Sequence, residues 1–189
     1  LIDVCDAIAF AHAEGVIHRD IKPDNIFLCD RPEGPLVKLL DFGSVRDNSE
    51  GAKKLTVVGT TIGSPFYMSP EQAEGKPPDH RADIYSLGVL LYELLTGMTP
   101  FDKQRFSEAA YDEIRRMIRE EEPPKPSTRI STLGDASGEI CGYRRTDLKK
   151  LQQAMRGELD WIVMKALEKE RARRYETAQG RAHGCCPVR

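Results

Sequence analysis

The chain has 189 residues, 31% of them charged, and a formal net charge of −2, which suits one compact domain or most of a larger one. That charge gives no electrostatic case for a nucleic-acid partner or an anionic membrane surface. No apolar run approaches the roughly 18 residues of a membrane span, because Ser86, Gly88 and Glu93 interrupt the longest one, Ile84 to Leu95.

The five cysteines form no Cys-x-x-Cys pair and no Cys/His cluster. They are expected to be reduced thiols in a cytoplasmic setting. The chain opens on Leu1 without a Lys/Arg-headed signal segment, so a fragment or an incomplete coding segment is expected.

Apolar side chains at Leu1, Val4, Cys5, Ile8 and Ala11 predict a helix over residues 1–13, ended by Gly15. Val16-Ile17 leads into a polar loop, and Ile26-Phe27-Leu28 predicts a short buried strand. A turn over Asp30 to Pro35 precedes a second apolar strand, Leu36 to Leu40, which ends at Asp41. Residues 44–68 are rich in Gly, Ser and Thr and lack periodicity, the mark of a functional loop or of disorder.

From a cap at Asp79 the pattern is helical through Leu95, and Gly97 closes it. Ile84, Leu87, Leu91, Leu94 and Leu95 form a broad stripe, with Val89, Leu90 and Tyr92 apolar elsewhere, as in a helix buried mid-domain. A further helix is predicted from Ser107 to about Glu122, stopped by Pro123-Pro124. A turn-rich surface excursion is expected over 123–147. Leu159, Ile162, Val163, Ala166 and Leu167 then predict another helix. Residues 1–180 are expected to form one domain, and 181–189 a tail without an assignable pattern.

The loop reads His18-Arg19-Asp20-Ile21-Lys22-Pro23-Asp24-Asn25, and Asp41-Phe42-Gly43 begins sixteen residues after Asn25. Asp20 can accept or orient a hydroxyl proton, and Lys22 can offset charge on a transferring phosphoryl group. Asn25 and Asp41 offer hard oxygens suited to Mg²⁺, and Gly43 lets the chain turn sharply after Asp41. Each residue alone has an ordinary explanation: an exposed-turn Asp, a solvated Lys, a turn-capping Asn, a strand-end Asp. Together they are the equipment for moving a phosphoryl group from a nucleotide to a hydroxyl.

These two motifs resemble the catalytic and metal-binding loops of protein kinases, and the resemblance covers about residues 1–180. It implies a mainly α fold, the C-terminal (large) lobe of the kinase fold with a small β element carrying both loops. The implied activity is transfer of the γ-phosphoryl group of ATP, with Mg²⁺, to protein substrates. Lys22, two residues after Asp20, is similar to the serine/threonine-specific members.

The resemblance gives Phe27 a contact with the adenine ring and makes Phe42 a buried residue. His18, a candidate base by its chemistry, becomes a structural histidine anchored through Asp83, in Asp83-Ile84-Tyr85-Ser86-Leu87-Gly88. Arg19 implies a partner phosphate on Thr56 or Thr60. Ser64-Pro65-Phe66-Tyr67 resembles the segment that receives the substrate, and Glu71 is expected to pair with Arg174. The neighbouring Lys169, Arg171 and Arg173 read as a solvated helix end.

The wording of Arg156 to Leu167 is similar to bacterial Hanks-type serine/threonine kinases of planctomycete type. No Gly-x-Gly-x-x-Gly loop and no Val-Ala-Ile-Lys-like strand occur in these residues. The N-terminal lobe is therefore expected to be missing, with little activity from the chain alone. The alternative is a non-catalytic, kinase-like interaction module.

Overall fold

The computed structural model describes residues 1–42, 65–132, 142 and 146–181. Helix α1 (Ile2–Ala13) buries Val4, Cys5, Ile8 and Ala11, the helically spaced apolar positions. Gly15 follows at φ 74°, a left-handed conformation that a glycine adopts without steric cost. Strands β1 (Ile26–Cys29) and β2 (Leu36–Leu39) form an antiparallel hairpin with Ile26 opposite Leu39 and Cys29 opposite Leu36. Ile26, Val37 and Leu39 pack against the α1 cluster of Val4, Ile8 and Ile21.

The expected burial of β1 is corrected by the structure, since Phe27 is 56% and Leu28 63% exposed. Phe27 lies on the sheet face that no described element covers, whereas Leu28 shares the face of Ile26 and Val37 and is still left exposed.

A 3₁₀ turn over Pro65–Tyr67 leads to the short α2 (Pro70–Ala73). Ser69 and Gln72 cap α2 reciprocally, each side chain satisfying the other's backbone N–H. Helix α3 (Arg81–Thr96) buries twelve of its sixteen residues and is the axis of the domain. Asp79 caps it from two residues upstream: its Oδ1 accepts from Arg81 N at 2.9 Å, and its carbonyl from Ala82 N at 3.0 Å. The stripe is narrower than expected at one position, because Leu94 is 53% exposed.

The single helix expected over 107–122 is two helices, α4 (Lys103–Glu108) and α5 (Tyr111–Glu120), broken by extended Ala109 and Ala110. The break lets Phe106 of α4 join Met117 and Ile118 of α5 in one cluster with Ala73 and Phe101. The surface excursion expected over 123–147 is also corrected. Helix α6 (Pro126–Thr132) buries Pro126, Ser127 and Ile130.

Helices α7 (Leu148–Met155) and α8 (Glu158–Ala166) complete the set described. Helix α7 has no counterpart in the sequence reading, although Asp147 caps it and Leu151 and Met155 enter the core. Asp160 of α8 holds the start of α6, accepting from Ser127 N at 2.9 Å and from Ser127 Oγ at 2.6 Å.

Tyr85, Val89 and Tyr92 of α3 meet Ile130, Met155 and Val163 in the largest apolar cluster. Gly88 is where α3 and α8 approach most closely, since a Cβ there would lie 2.8 Å from Ala166 Cβ. The architecture is mainly α with one small hairpin. No helix among the described residues is long and apolar enough to cross a membrane.

Candidate active site

The polar loop between α1 and β1 is shaped by an acceptor, not by its own propensity. Arg19 sits at φ 68°, a left-handed conformation that costs a non-glycine residue free energy unless its surroundings fix it. Asp83 of α3 fixes it. Its Oδ1 accepts from Arg19 N at 2.7 Å, and its Oδ2 from His18 N at 2.8 Å.

His12 Nε2 also donates to Asp83 Oδ2, at 2.7 Å. The sequence reading did not single out His12. Its place four residues after buried Ile8, on the same helical face, was the available signal.

His18 is fully buried. Its Nε2 faces the Leu40 carbonyl at 3.0 Å, and a carbonyl only accepts, so Nε2 carries the proton. The Nδ1 lone pair then faces Asp20 N at 3.4 Å. Both ring nitrogens are engaged within the fold, which leaves neither for an external substrate.

Asp20 receives two side chains from its own loop. Lys22 Nζ lies 2.8 Å from Asp20 Oδ2, and Asn25 Nδ2 donates to the same Oδ2 at 3.1 Å and to Asp20 O at 2.7 Å. Two acceptors on one side fix the Asn25 amide, because only its NH₂ can serve both. Its Oδ1 is thereby turned away from Asp20. Leu40 N donates to Asn25 O at 2.8 Å, which sets Asp41 beside this loop at the end of β2. Asp41 is exposed and stands at φ 56°, the other non-glycine left-handed residue described.

Phe42 corrects an expectation: it is 42% exposed, with its ring 4.8 Å from that of His18. No described residue covers its outer side. Phe27 of β1 is exposed as well. Gly43, Thr56, Thr60 and Ser64 lie outside the described residues.

The segment after them is well anchored. Phe66 stacks on Phe106 with ring centroids 5.1 Å apart, and Tyr67 O–H donates to Glu93. Burial, with Glu93 close by, holds the Tyr67 phenol protonated well above its usual range. Gln72 Nε2 donates to Arg19 O at 2.8 Å, tying α2 to the polar loop.

Behind α2, Arg174 meets Glu71 in a forked pair of 2.7 and 2.8 Å. Its remaining N–H groups donate to the carbonyls of Glu168, Arg81 and Lys169, so all five are used. Lys169 does not belong to a solvated end, as the sequence suggested. Its Nζ donates to Ile118 O at 2.8 Å and lies 5.0 Å from the Phe101 ring centroid. Burial of this ammonium, the largest effect on it, brings its pKa down to about 8.

A carboxylate loop strapped by its backbone to a buried central helix, with an Asp-Phe turn alongside, is the arrangement of protein kinases. A family model described as protein kinase domain matches residues 1–184, and the chain belongs to that family. It is similar to serine/threonine-protein kinase pkn3 of Myxococcus xanthus, 44% identical over 135 residues, which are 68% of this chain and 24% of that kinase. It is also similar to serine/threonine-protein kinase PknB of Mycobacterium tuberculosis, 36% identical over 178 residues, 94% of this chain and 24% of that one. The probable serine/threonine-protein kinase PknB of Corynebacterium glutamicum matches to the same extent, 36% over 178 residues. The chain thus spans about a quarter of the length of the curated relatives it matches.

Proposed function

We propose that residues 1–180 are the C-terminal lobe of a protein serine/threonine kinase that transfers the γ-phosphoryl group of ATP to protein hydroxyls. The observation that carries this reading is the convergence of Lys22 Nζ and Asn25 Nδ2 on Asp20 Oδ2, at 2.8 and 3.1 Å. Asp20 orients the acceptor hydroxyl and takes up its proton, and Lys22 balances charge on the phosphoryl oxygens. Positioning of this kind supplies most of the catalysis in phosphoryl transfer.

The donor set suits magnesium. Asn25 Oδ1 and the Asp41 carboxylate are hard oxygens, and Mg²⁺ keeps waters and phosphate oxygens for the rest of its shell. Those two residues would hold the ion, which when bound neutralises phosphate charge. Phe27, exposed on β1, is suited to the adenine face. Exposed Phe27, Leu40 and Phe42 are apolar surface that an overlying N-terminal lobe would cover. Pro65, Phe66 and Tyr67, with Ser64 before them, are suited to receive the substrate chain.

Arg19 is read as the regulatory partner of a phosphate on Thr60 or Thr56. Its Nε is buried without a hydrogen-bond partner among the described residues, which favours an incoming anion. Replacing both threonines by alanine in an active, upstream-extended form is expected to lower activity. Unchanged activity removes the switch and leaves the catalytic reading intact.

The main test is transfer of labelled phosphate from ATP to a generic protein substrate. It is run on this chain and on a form extended upstream to include a glycine-rich loop. Little turnover is expected from the chain alone. The extended form should be active, and Asp20→Asn should reduce it by about 10²- to 10⁴-fold. An inactive extended form that still binds partner proteins through the exposed apolar surface would favour the second reading, an interaction module.

A further inference from the structure

On the side of the domain behind the Glu71–Arg174 pair lies a cavity of about 580 Å³. Four cationic side chains line it: Lys76, Arg119, Lys169 and Arg171. Its carboxylates are already committed. Glu71 is held by Arg174 at 2.7 Å, Glu74 by Lys76 at 2.5 Å, and Glu170 by Arg173 at 3.1 Å. Arg171 reaches out to Asp79 at 3.4 Å, and Arg119 to Glu120 at 3.2 Å, while the Arg119 Nε is buried without a hydrogen-bond partner.

Lys169 has no carboxylate within ion-pairing distance among the described residues. One of its N–H groups goes to the Ile118 carbonyl at 2.8 Å. That carbonyl lies in the last turn of α5, where no intrahelical donor reaches it.

We propose that Lys169 is an acylation site for acyl phosphates, with Arg119 and Arg171 receiving the phosphate group of the donor. The uncharged amine attacks the carbonyl carbon of the acyl phosphate. A C–N bond forms, the C–O bond to phosphate breaks, inorganic phosphate leaves with the electron pair, and the amine proton passes to water. The product amide keeps one N–H, enough to retain the bond to Ile118 O.

The groups facing Lys169 make the uncharged amine accessible near neutral pH. Burial lowers its proton affinity most, Glu122 opposes this, Arg174 adds to it, and Glu121 opposes it again, leaving a pKa of about 8. An amine of that pKa is half uncharged at pH 8, against well under one part in a hundred for an ordinary lysine.

The folded 189-residue chain is treated with acetyl phosphate at pH 8, and acetylation at each lysine is followed by peptide mass spectrometry. Lys169 is expected to react about tenfold faster than exposed Lys150, the low end of its advantage in uncharged amine. Arg119→Ala with Arg171→Ala should lower the Lys169 rate severalfold with acetyl phosphate, and leave it unchanged with a neutral acetyl ester. Circular dichroism confirms that the double variant is folded. A Lys169 rate at or below that of Lys150 overturns the proposal, as does a rate with acetyl phosphate that the arginine substitutions do not lower.

Discussion

Arg174 and Glu71, 103 residues apart, meet as a forked ion pair of 2.7 and 2.8 Å in which the arginine side chain is wholly buried. The pair joins α2 to the segment that follows α8, and the Arg174 guanidinium also covers the Tyr85 ring at 5.1 Å. Removing one partner leaves a buried charge unpaired, which costs about 3–5 kcal/mol. Arg174→Ala is therefore expected to lower the melting temperature by roughly 6–20 °C. Arg174→Lys should recover little, because an ammonium cannot make the fork. A thermal melt that neither substitution shifts would remove the pair from the stability argument.

Asp83 holds the loop conformation of Arg19 by accepting from three donors: His12 Nε2, His18 N and Arg19 N. Asp83→Asn keeps one acceptor oxygen and replaces the other with a donor that faces donors. The expected cost is about 1–3 kcal/mol for the unsatisfied groups. Amide exchange at His18 and Arg19 should accelerate more than exchange in α7 and α8. Uniform acceleration across the domain would mean that Asp83 supports the fold generally and not this loop.

The packing of α3 on α8 gives a paired prediction. Gly88→Ala places a methyl 2.8 Å from Ala166 Cβ and 3.2 Å from Leu167 Cδ2, so the helices must separate. Overpacking of this kind costs about 1–3 kcal/mol. Ala166→Gly in the same chain removes the nearest atom and should restore part of that loss. Urea midpoints of the two single variants and the double variant test the coupling, which is absent if the effects simply add.

Local periodicity made much of this legible in the sequence. The apolar spacings over α1 and α8 match the buried faces, that over α3 does so except toward Leu91 and exposed Leu94, and Gly15 and Gly97 both stand at φ 74° past their helices. The spacing of Asp20, Lys22 and Asn25 pointed to a loop whose side chains the structure brings together.

What failed depends on non-local packing. Phe27, Leu28 and Phe42 are apolar and yet exposed, and sequence pattern cannot say which neighbours will cover a residue. Helix α6 is short, and its start is held by Asp160 from thirty-three residues away, a contact no local pattern encodes. Lys169 looked like one more surface lysine because its partners, Ile118 O and Phe101, are far off in the chain.

The lowered proton affinity of Lys169 carries a stability prediction whose sign can be worked out. Its pKa is about 8 in the folded chain against an ordinary 10.5. Below pH 8 the group is charged in both states, and the folded state bears the cost of a partly buried ammonium. Between pH 8 and 10.5 the unfolded chain holds the proton and the folded chain does not, so this group's contribution to stability rises with pH. Lys169→Met removes the charge and keeps the apolar stem against Phe101. After allowance for solvent screening and for the lost bond to Ile118 O, it should stabilise the domain at pH 7 by on the order of 1 kcal/mol. That gain should shrink steadily from pH 8 to pH 10. Urea denaturation of both chains at pH 7, 8.5 and 10 measures the difference, and a gap that stays constant with pH would show that Lys169 titrates as an ordinary lysine.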